Sequence, residues 1–212
     1  MTSVNKYWMR SSMPDLSIEN KYKGKVVCGV DEVGRGCLAG DVYACAVILP
    51  ENFPKDVLEQ LQDSKKISAK KREYLAEEIK KHSVWSLGIS TVAEIDEINI
   101  LQAALLAMKR AIESLDKKAE VCLIDGNKSP DLANREVETV IKGDSLSCSI
   151  AAASIVAKVE RDAKMTKLAK KFPYYKWESN AGYGTKAHLD GMNAKGVTKW
   201  HRKSFAPVKA LL

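Results

Sequence analysis

The strongest constraint on the fold is one run of the sequence, VVCGVDEVGRGCLAGDVYACAVIL, at residues 26–49. It contains two apolar segments, 26–30 and 42–49, whose residues favour a pleated, buried surface. Between them lies a short polar turn in which Asp31 and Glu32 are followed by glycines that can bend the chain back. The pattern predicts a β-hairpin whose first strand delivers two carboxylates to one edge of a sheet.

The turn in this run has two interpretations. In the simpler one, Asp31 and Glu32 form a solvated turn with an ion pair to Arg35. In the other, Gly34 and Gly36 let the backbone approach a ligand closely, and Arg35 between them suits a phosphate or a hydroxyl-bearing substrate. A GRG sequence alone does not decide between them, so the second interpretation needs further acids that converge on the turn.

Two later strand-like segments also end at or near an acid. Residues 120–124 are followed by Asp125, and residues 136–141 are followed closely by Asp144. An acid followed by glycine can be no more than a tight bend. However, strand ends form the ligand crevice of an open sheet with helical crossovers. We therefore expect both acids to meet the pair on the first strand.

Such a cluster predicts a metal site with four carboxylates, Asp31, Glu32, Asp125 and Asp144. Carboxylates brought together need cations to stay charged. The three histidines are far apart in sequence and the five cysteines show no CxxC spacing, so zinc is not expected and Mg²⁺ or Mn²⁺ is favoured. Two such ions about 4 Å apart can activate a water and stabilise the leaving oxygen in phosphodiester cleavage.

The rest of the chain predicts helices around this sheet. Ser68 is the expected N-cap of a helix with Tyr74, Leu75 and Ile79 on its apolar face. A third strand is expected at residues 84–91, followed by a long amphipathic helix that is assigned to the core. Residues 1–24 lack periodicity, so a loose N-terminal extension is predicted, with Tyr7 and Trp8 docking on the body.

A second long helix, predicted at residues 148–172, carries basic residues at spacings of three. Lys158, Arg161, Lys164 and Lys167 are expected to form a stripe along it. Asp162, a competing candidate for the fourth acid of the cluster, lies among these cations and is assigned a structural ion pair with Arg161 or Lys158. After the helix come a loop with Tyr183 between two glycines and then a further helical pattern.

The amino-acid composition limits the classes of function that this chain can have. The 212 residues are 45% hydrophobic and 29% charged, which favours one domain, predicted at residues 25–212. The net charge is +7, and the excess lies in residues 142–212, with 14 Lys and Arg against 5 Asp and Glu. A solvated basic face explains this, and so does a surface for nucleic-acid phosphates. No apolar run is long enough to span a membrane. The odd number of cysteines, without CxxC spacing, favours a reducing cytoplasm.

Six motifs occur in an order that resembles one known family. They are DEVGRG (31–36), DSKK (63–66), LIDGN (123–127), KGDS (142–145), SIAAASIVAKVERD (149–162) and GYGT (182–185). Together they are similar to type 2 ribonuclease H, specifically bacterial ribonuclease HII, over residues 26–208. Each motif alone is weak evidence, and the ordered set is specific.

The resemblance implies an α/β fold of the ribonuclease H-like type, with a mixed five-stranded sheet flanked by helices and a helical C-terminal part. It implies cleavage of the RNA strand of RNA/DNA hybrids, and cleavage 5′ of single ribonucleotides embedded in duplex DNA, leaving 5′-phosphate and 3′-hydroxyl ends. Ribonucleotide removal and RNA primer removal follow from that activity. The protein is expected to act as a monomer.

The same resemblance assigns roles to individual residues. Asp31, Glu32, Asp125 and Asp144 correspond to the acids that bind two Mn²⁺ or Mg²⁺ ions and carry out catalysis. The residues expected to bind the substrate are Gly34, Arg35 and Gly36 at the ribose 2′-hydroxyl, Tyr183 on the sugar at the junction, and Ser64, Lys65, Ser154 and Lys158 at phosphates.

Two departures from the family pattern, Cys37 and Asp41, replace prolines, which predicts a less rigid GRG loop. Two other functions remain as alternatives. A non-catalytic nucleic-acid-binding protein would keep the basic tail with a dead site, but all four acids are present. A resolvase- or integrase-like metal nuclease would share the fold, but the GRG, DSK and GYGT set favours a ribonuclease, and substrate preference discriminates between the two.

Overall fold

The architecture is a mixed five-stranded sheet with helices on both faces. A computed structural model describes residues 13–62, 64 and 67–212. The strands are β1 (Val27–Val33), β2 (Val42–Ile48), β3 (Val84–Ser90), β4 (Val121–Asp125) and β5 (Glu136–Val140). The helices are α1 (Lys55–Leu58), α2 (Ala69–His82), α3 (Val92–Glu113), α4 (Cys148–Lys171), α5 (Trp177–Asn180), α6 (Lys186–Lys195) and α7 (Ala206–Lys209).

The strand order is β3-β2-β1-β4-β5. β1 pairs antiparallel with β2, which confirms the predicted hairpin, and β2 pairs antiparallel with β3. β1 pairs parallel with β4, and β4 pairs parallel with β5. The carboxyl ends of these three parallel strands therefore lie at one edge of the sheet. The mixed sheet confirms the predicted fold class.

Two layers of helix cover the sheet because alternate side chains of the central strands point to opposite faces. One apolar cluster joins Cys28 and Val30 of β1 to α3, and a second joins Cys45 and Val47 of β2 to α2 and α4. A third cluster lies outside the sheet, where Trp177 and its neighbours join the end of α4 to the C-terminal helices.

The first strand is longer than predicted. β1 continues through Val33, so Asp31 and Glu32 lie within the last residues of the strand and not in the loop after it. Asp31 pairs in register with Cys45, and Glu32 pairs with Ala44. Asp31 and Glu32 remain in the strand because β2 still pairs with their backbone. The sequence alone does not show how far this pairing extends.

The helices differ from the predictions at two points. Tyr74 is exposed, whereas Leu75 and Ile79 are buried as expected, and Ser68 does cap α2 by accepting a hydrogen bond from Lys71 N. Within α3, Asn99 has φ 68° and interrupts the helix. Its side chain accepts hydrogen bonds from the N–H groups of Leu101 and Gln102, so the second half of the helix has a cap of its own.

The described part of the N-terminal segment is packed, which makes the predicted loose extension wrong from residue 13 onward. Residues 19–22 form a short 3₁₀ helix. Glu19 Oε1 accepts hydrogen bonds from Ser147 Oγ at 2.6 Å and from Ser149 N at 2.8 Å, at the start of α4. The predicted docking of Tyr7 and Trp8 lies outside the described residues.

Candidate active site

A cleft of about 310 Å³ opens at the carboxyl ends of the parallel strands. It brings together residues from six separate segments of the sequence. Its walls are formed by Asp31, Glu32, Val33, Ser64, Asp125, Asp144, Ser154, Lys158 and Tyr183. All four predicted acids therefore line one space.

Strand pairing explains how two of the acids meet. Val30 of β1 and Ile124 of β4 are register partners, and the acids Asp31 and Asp125 directly follow them. Because β1 and β4 are parallel, both carboxylates lie on neighbouring strands at the same level. Glu32 follows Asp31 and points to the opposite face of the sheet, so the pair flanks the strand on both sides.

A short turn after β5 brings the fourth acid to the cleft. Asp125 Oδ1 accepts a hydrogen bond of 2.6 Å from Gly143 N. This bond fixes the 3₁₀ turn Gly143–Ser145, which carries Asp144. The Asp125 carboxylate thus connects the end of β4 to the turn after β5.

The acids destabilise one another's charged forms. Burial raises the pKa of Asp31 well above its ordinary value, and the neighbouring charges of Glu32 and Asp125 raise it further. Burial also raises the pKa of Glu32, and the charge of Asp125 adds to this, whereas Arg35 partly offsets it. A cation placed among these groups would reverse both shifts.

The simpler interpretation of the turn is also correct in part. Arg35 Nη1 lies 3.4 Å from Glu32 Oε1, so the expected ion pair exists alongside the acid cluster. The Arg35 side chain is half exposed, and a pair of this kind contributes little to stability. It does not exclude a ligand from the cleft.

The donor set of the cleft fits a hard divalent cation, since all four acids offer oxygen atoms. Among the residues that the structure describes, however, no three His, Cys, Asp or Glu side chains form a group that could hold a metal ion by themselves. Mg²⁺ is commonly held by one or two carboxylates, with water and substrate phosphate completing its coordination. The cleft suits that mode of binding.

Polar groups for a substrate backbone come from α4 and the segment before α2. Ser154 Oγ lies 3.0 Å from Ser64 Oγ, and the Ser154 hydroxyl lowers the pKa of Asp31 through a hydrogen bond. Lys158 also reaches the cleft and pairs with Asp162 at 2.9 Å. The structural ion pair predicted for Asp162 is therefore made by Lys158. Lys65 lies outside the described residues.

Arg161 does not belong to the predicted basic stripe on α4, because its side chain is fully buried. It turns inward and donates hydrogen bonds to the carbonyls of Asp41, Ala39 and Ala181 at 3.0, 3.0 and 2.8 Å. Spacing along a helix gave no signal of this, since the carbonyls come from the loop between β1 and β2 and from the segment before Tyr183.

The loop at residues 34–41 is held by the C-terminal part of the chain. Leu38 N donates to Gly182 O at 2.8 Å, and Gly40 N donates to Trp200 O at 2.8 Å. Asp41, one of the departures from the family pattern, accepts a hydrogen bond from Val92 N at the start of α3. Cys37 is buried, and its backbone forms an isolated antiparallel β-bridge with Tyr183. The loop is therefore anchored on several sides.

Comparison with known proteins agrees with the resemblance. The family model described as Ribonuclease HII matches residues 28–208. A Ribonuclease HII of Pelagibacter ubique (strain HTCC1062) is 54% identical over 188 residues, covering 89% of this chain and 100% of that protein. The chain belongs to the ribonuclease HII family. It is a type 2 ribonuclease H, a hydrolase that acts as an endonuclease on nucleic acid.

Solved structures share the fold at lower identity. The ribonuclease H2 of Pyrococcus horikoshii OT3 has a TM-score of 0.72 and 23% identity, covering 87% of this chain and 96% of that one. Bst-RNase HIII in complex with Mn²⁺ has a TM-score of 0.70 and 17% identity, covering 93% and 72% of the two chains. The ribonuclease H family is divalent-metal dependent. No helix in the described part of this chain is long and apolar enough to cross a membrane.

Proposed function

We propose that this ribonuclease HII hydrolyses the RNA strand of RNA/DNA hybrids and cuts 5′ of single ribonucleotides embedded in duplex DNA. The products carry 5′-phosphate and 3′-hydroxyl ends. The observation that supports this most is the meeting of four acids with Tyr183 and Ser154 around one cleft, where the GRG loop directly follows Val33 of the cleft wall. Acids alone would suit many nucleases, whereas a backbone loop beside them suits recognition of a 2′-hydroxyl.

The four acids would hold two divalent cations, Mg²⁺ or Mn²⁺, which when bound supply a nucleophilic water and stabilise the leaving oxygen. Asp31 and Asp125 act from neighbouring strands, and a cation bound between them would relieve their mutual repulsion. Asp144 completes the set from the turn after β5. Glu32 acts from the other side of β1, where Arg35 limits its movement.

The remaining residues would position the substrate. Lys158, Ser154 and Ser64 form a row that can hold backbone phosphates, with Lys65 as a further candidate outside the described residues. Tyr183 is 39% exposed, so its ring face can stack on the sugar at the junction. The GRG loop, Gly34 to Gly36, would read the 2′-hydroxyl through backbone groups.

The wider role follows from this chemistry. We propose that the protein acts in the cytoplasm as a monomer, with residues 25–212 as its catalytic domain, in ribonucleotide removal and RNA primer removal during DNA replication and repair. Size-exclusion chromatography with light scattering checks the monomer. A dimer at micromolar protein concentration would contradict it.

The test of the activity is a DNA duplex with one embedded ribonucleotide, incubated with Mg²⁺, Mn²⁺ or a chelator, with both product ends mapped. We expect a metal-dependent cut 5′ of the ribonucleotide. An intact duplex alongside a cleaved long hybrid would contradict the roles of the GRG loop and Tyr183. Binding of both substrates without cleavage of either would favour a non-catalytic binding protein.

A further inference from the structure

Arg202 is a fully buried arginine whose side chain binds the backbone of the GRG loop. Its Nη2 donates to Gly34 O at 2.7 Å, its Nη1 to Arg35 O at 2.8 Å, and its Nε to Gly40 O at 2.9 Å. In the described part of the chain, no carboxylate forms an ion pair with this guanidinium. A charge buried in this way is costly, and here its hydrogen bonds go to backbone carbonyls of one loop.

These bonds determine where the loop's amide N–H groups point. The described residues contain no cis peptide bond. In a trans peptide, the carbonyl of one residue and the N–H of the next point in opposite directions. Because Arg202 holds the carbonyls of Gly34 and Arg35, the N–H groups of Arg35 and Gly36 are turned away from it.

The two N–H groups belong to the segment that directly follows Val33, a residue of the cleft wall, and Arg35 lines a smaller cavity together with Glu32 and Asp125. Among the residues that the structure describes, neither N–H group donates to another group. A carbon atom placed on Gly36 would lie 3.7 Å from the ring of Tyr183, which lines the cleft. Two adjacent N–H donors next to an exposed aromatic ring form a site for an oxygen atom of a sugar.

We propose that Arg202 is a positioning residue for ribonucleotide recognition. By fixing the two carbonyls, it presents the N–H groups of Arg35 and Gly36 to the oxygen of the ribose 2′-hydroxyl. The inference rests on the function proposed above. Arg161 supports the far side of the same loop through Ala39 and Asp41, whereas Arg202 donates hydrogen bonds to the carbonyls of Gly34 and Arg35, in the two peptides that carry the donors.

The substitution Arg202→Lys tests this role, because an ammonium is a single point of charge and cannot hold three carbonyls in the plane of a guanidinium. The measurement is the ratio of affinities for a duplex with one ribonucleotide and for the same duplex made of DNA only. Calcium replaces magnesium so that binding is measured without turnover. We expect this ratio to fall by about tenfold, which corresponds to one weakened hydrogen bond, while affinity for the all-DNA duplex stays the same.

Arg110→Lys is the matched control. Arg110 also donates to a backbone carbonyl, that of Ile89 at 2.7 Å, and it pairs with Glu94 on α3 away from the cleft. We expect this variant to keep the wild-type ratio. If Arg202→Lys keeps the ratio as well, or weakens binding of both duplexes equally, the positioning role is wrong.

A measurement on the wild-type protein covers the case in which Arg202→Lys does not fold. The amide resonances of Arg35 and Gly36 should shift with the ribonucleotide duplex and not with the all-DNA duplex. Identical shifts with both would overturn the inference. If the wild-type protein has no preference for the ribonucleotide duplex, the proposed function fails first, which separates that failure from a failure of the Arg202 role.

Discussion

Asp125 joins two parts of the site, since its carboxylate lines the cleft and also accepts a hydrogen bond from Gly143. Replacing it with asparagine removes the charge but keeps an oxygen that can accept this bond. We expect Asp125→Asn to lose more than about 100-fold in cleavage rate, because one cation ligand is lost, while duplex binding survives. Single-turnover cleavage and a binding titration measure the two effects.

Asp190→Asn is the control for this change, because Asp190 is an acid on the surface of α6 that pairs with Lys186 at 2.7 Å. It should leave both measurements unchanged. Turnover of Asp125→Asn at the wild-type rate would refute the assignment of two cations to the cleft.

Gly34 is the residue at which the loop tolerates a side chain least. Its φ is +95°, and a β-carbon there would collide with the Arg161 guanidinium, which is itself buried and fixed by three carbonyls. We expect Gly34→Ala to lower the cleavage rate by at least about tenfold, because the loop must shift away from its ligand-binding position. Steady-state cleavage of the single-ribonucleotide duplex measures this.

Gly24→Ala separates backbone strain from the collision. Gly24 has a similar φ of +84°, but no atom lies within 4 Å of the position that its β-carbon would take. It should cost only about 1 kcal/mol in unfolding free energy and leave the cleavage rate unchanged. Equal effects of the two substitutions on cleavage would refute the role of the Arg161 contact.

At the scale of elements, the close crossing of α4 over β1 brings the helix residues to the cleft. A β-carbon on Gly29 would collide with the backbone of Ser149 and Ile150 on α4. Two residues further along β1 lies Asp31, and further along α4 lies Ser154, whose hydroxyl forms a hydrogen bond to Asp31. The absence of a side chain at residue 29 thus sets the distance between these groups.

We therefore expect Gly29→Ala to lower the unfolding free energy by about 1–3 kcal/mol, because helix backbone cannot rotate out of the way as a side chain can. Urea unfolding followed by circular dichroism measures it. Gly36→Ala is the control, since its nearest contact would be an ordinary 3.7 Å to Tyr183. Similar unfolding midpoints for wild type and Gly29→Ala would contradict this account of the crossing.

Across the whole molecule, two buried histidines link the C-terminal helices to the site. His188 Nε2 and His201 Nε2 lie 3.2 Å apart, and His188 Nδ1 lies 2.9 Å from Tyr183 O. Thr198 N donates to His201 Nδ1, so His201 carries its proton on Nε2, which faces His188 Nε2, and Trp177 Nε1 donates to the same His188 nitrogen at 3.0 Å. His188 then donates from Nδ1 to Tyr183. Both rings are neutral in this arrangement.

Burial lowers the pKa of His201 from 6.5 to about 4 and lowers that of His188 as well. The unfolded chain protonates His201 near pH 6.5, whereas the folded protein does so only near pH 4. The contribution of a neutral His201 to stability is therefore fully present above pH 6.5 and is lost as the pH falls toward 4. Between these two pH values the slope is about 1.4 kcal/mol per pH unit for His201.

The variant His201→Asn should show a smaller loss of unfolding free energy between pH 6.5 and 5 than the wild-type protein. Urea unfolding across that range measures both proteins. Because Asp31 and Glu32 have raised pKa values and act in the opposite direction, the informative quantity is the difference between the two curves. Parallel curves would contradict a neutral, buried His201.

Much of the fold and the acid cluster could be predicted from the sequence alone. Apolar runs of strand-favouring residues predicted the strands, and the recurrence of an acid after three of them indicated a shared edge, because parallel strands end together. The motif order then identified the family. Local sequence placed Asp31, Glu32 and Asp125 at or directly after strand ends and Asp144 shortly after a strand, whereas their meeting in one cleft needed the tertiary structure.

Only the tertiary structure decided which side chains hold the loop. Arg161 and Arg202 look like members of a basic surface when read along the chain, yet both are buried and bind carbonyls of residues 34–41. Those carbonyls are more than 100 residues away in sequence, and backbone acceptors have no residue type to recognise. Sequence patterns report what a side chain is, whereas its partner depends on which distant backbone the fold brings to it.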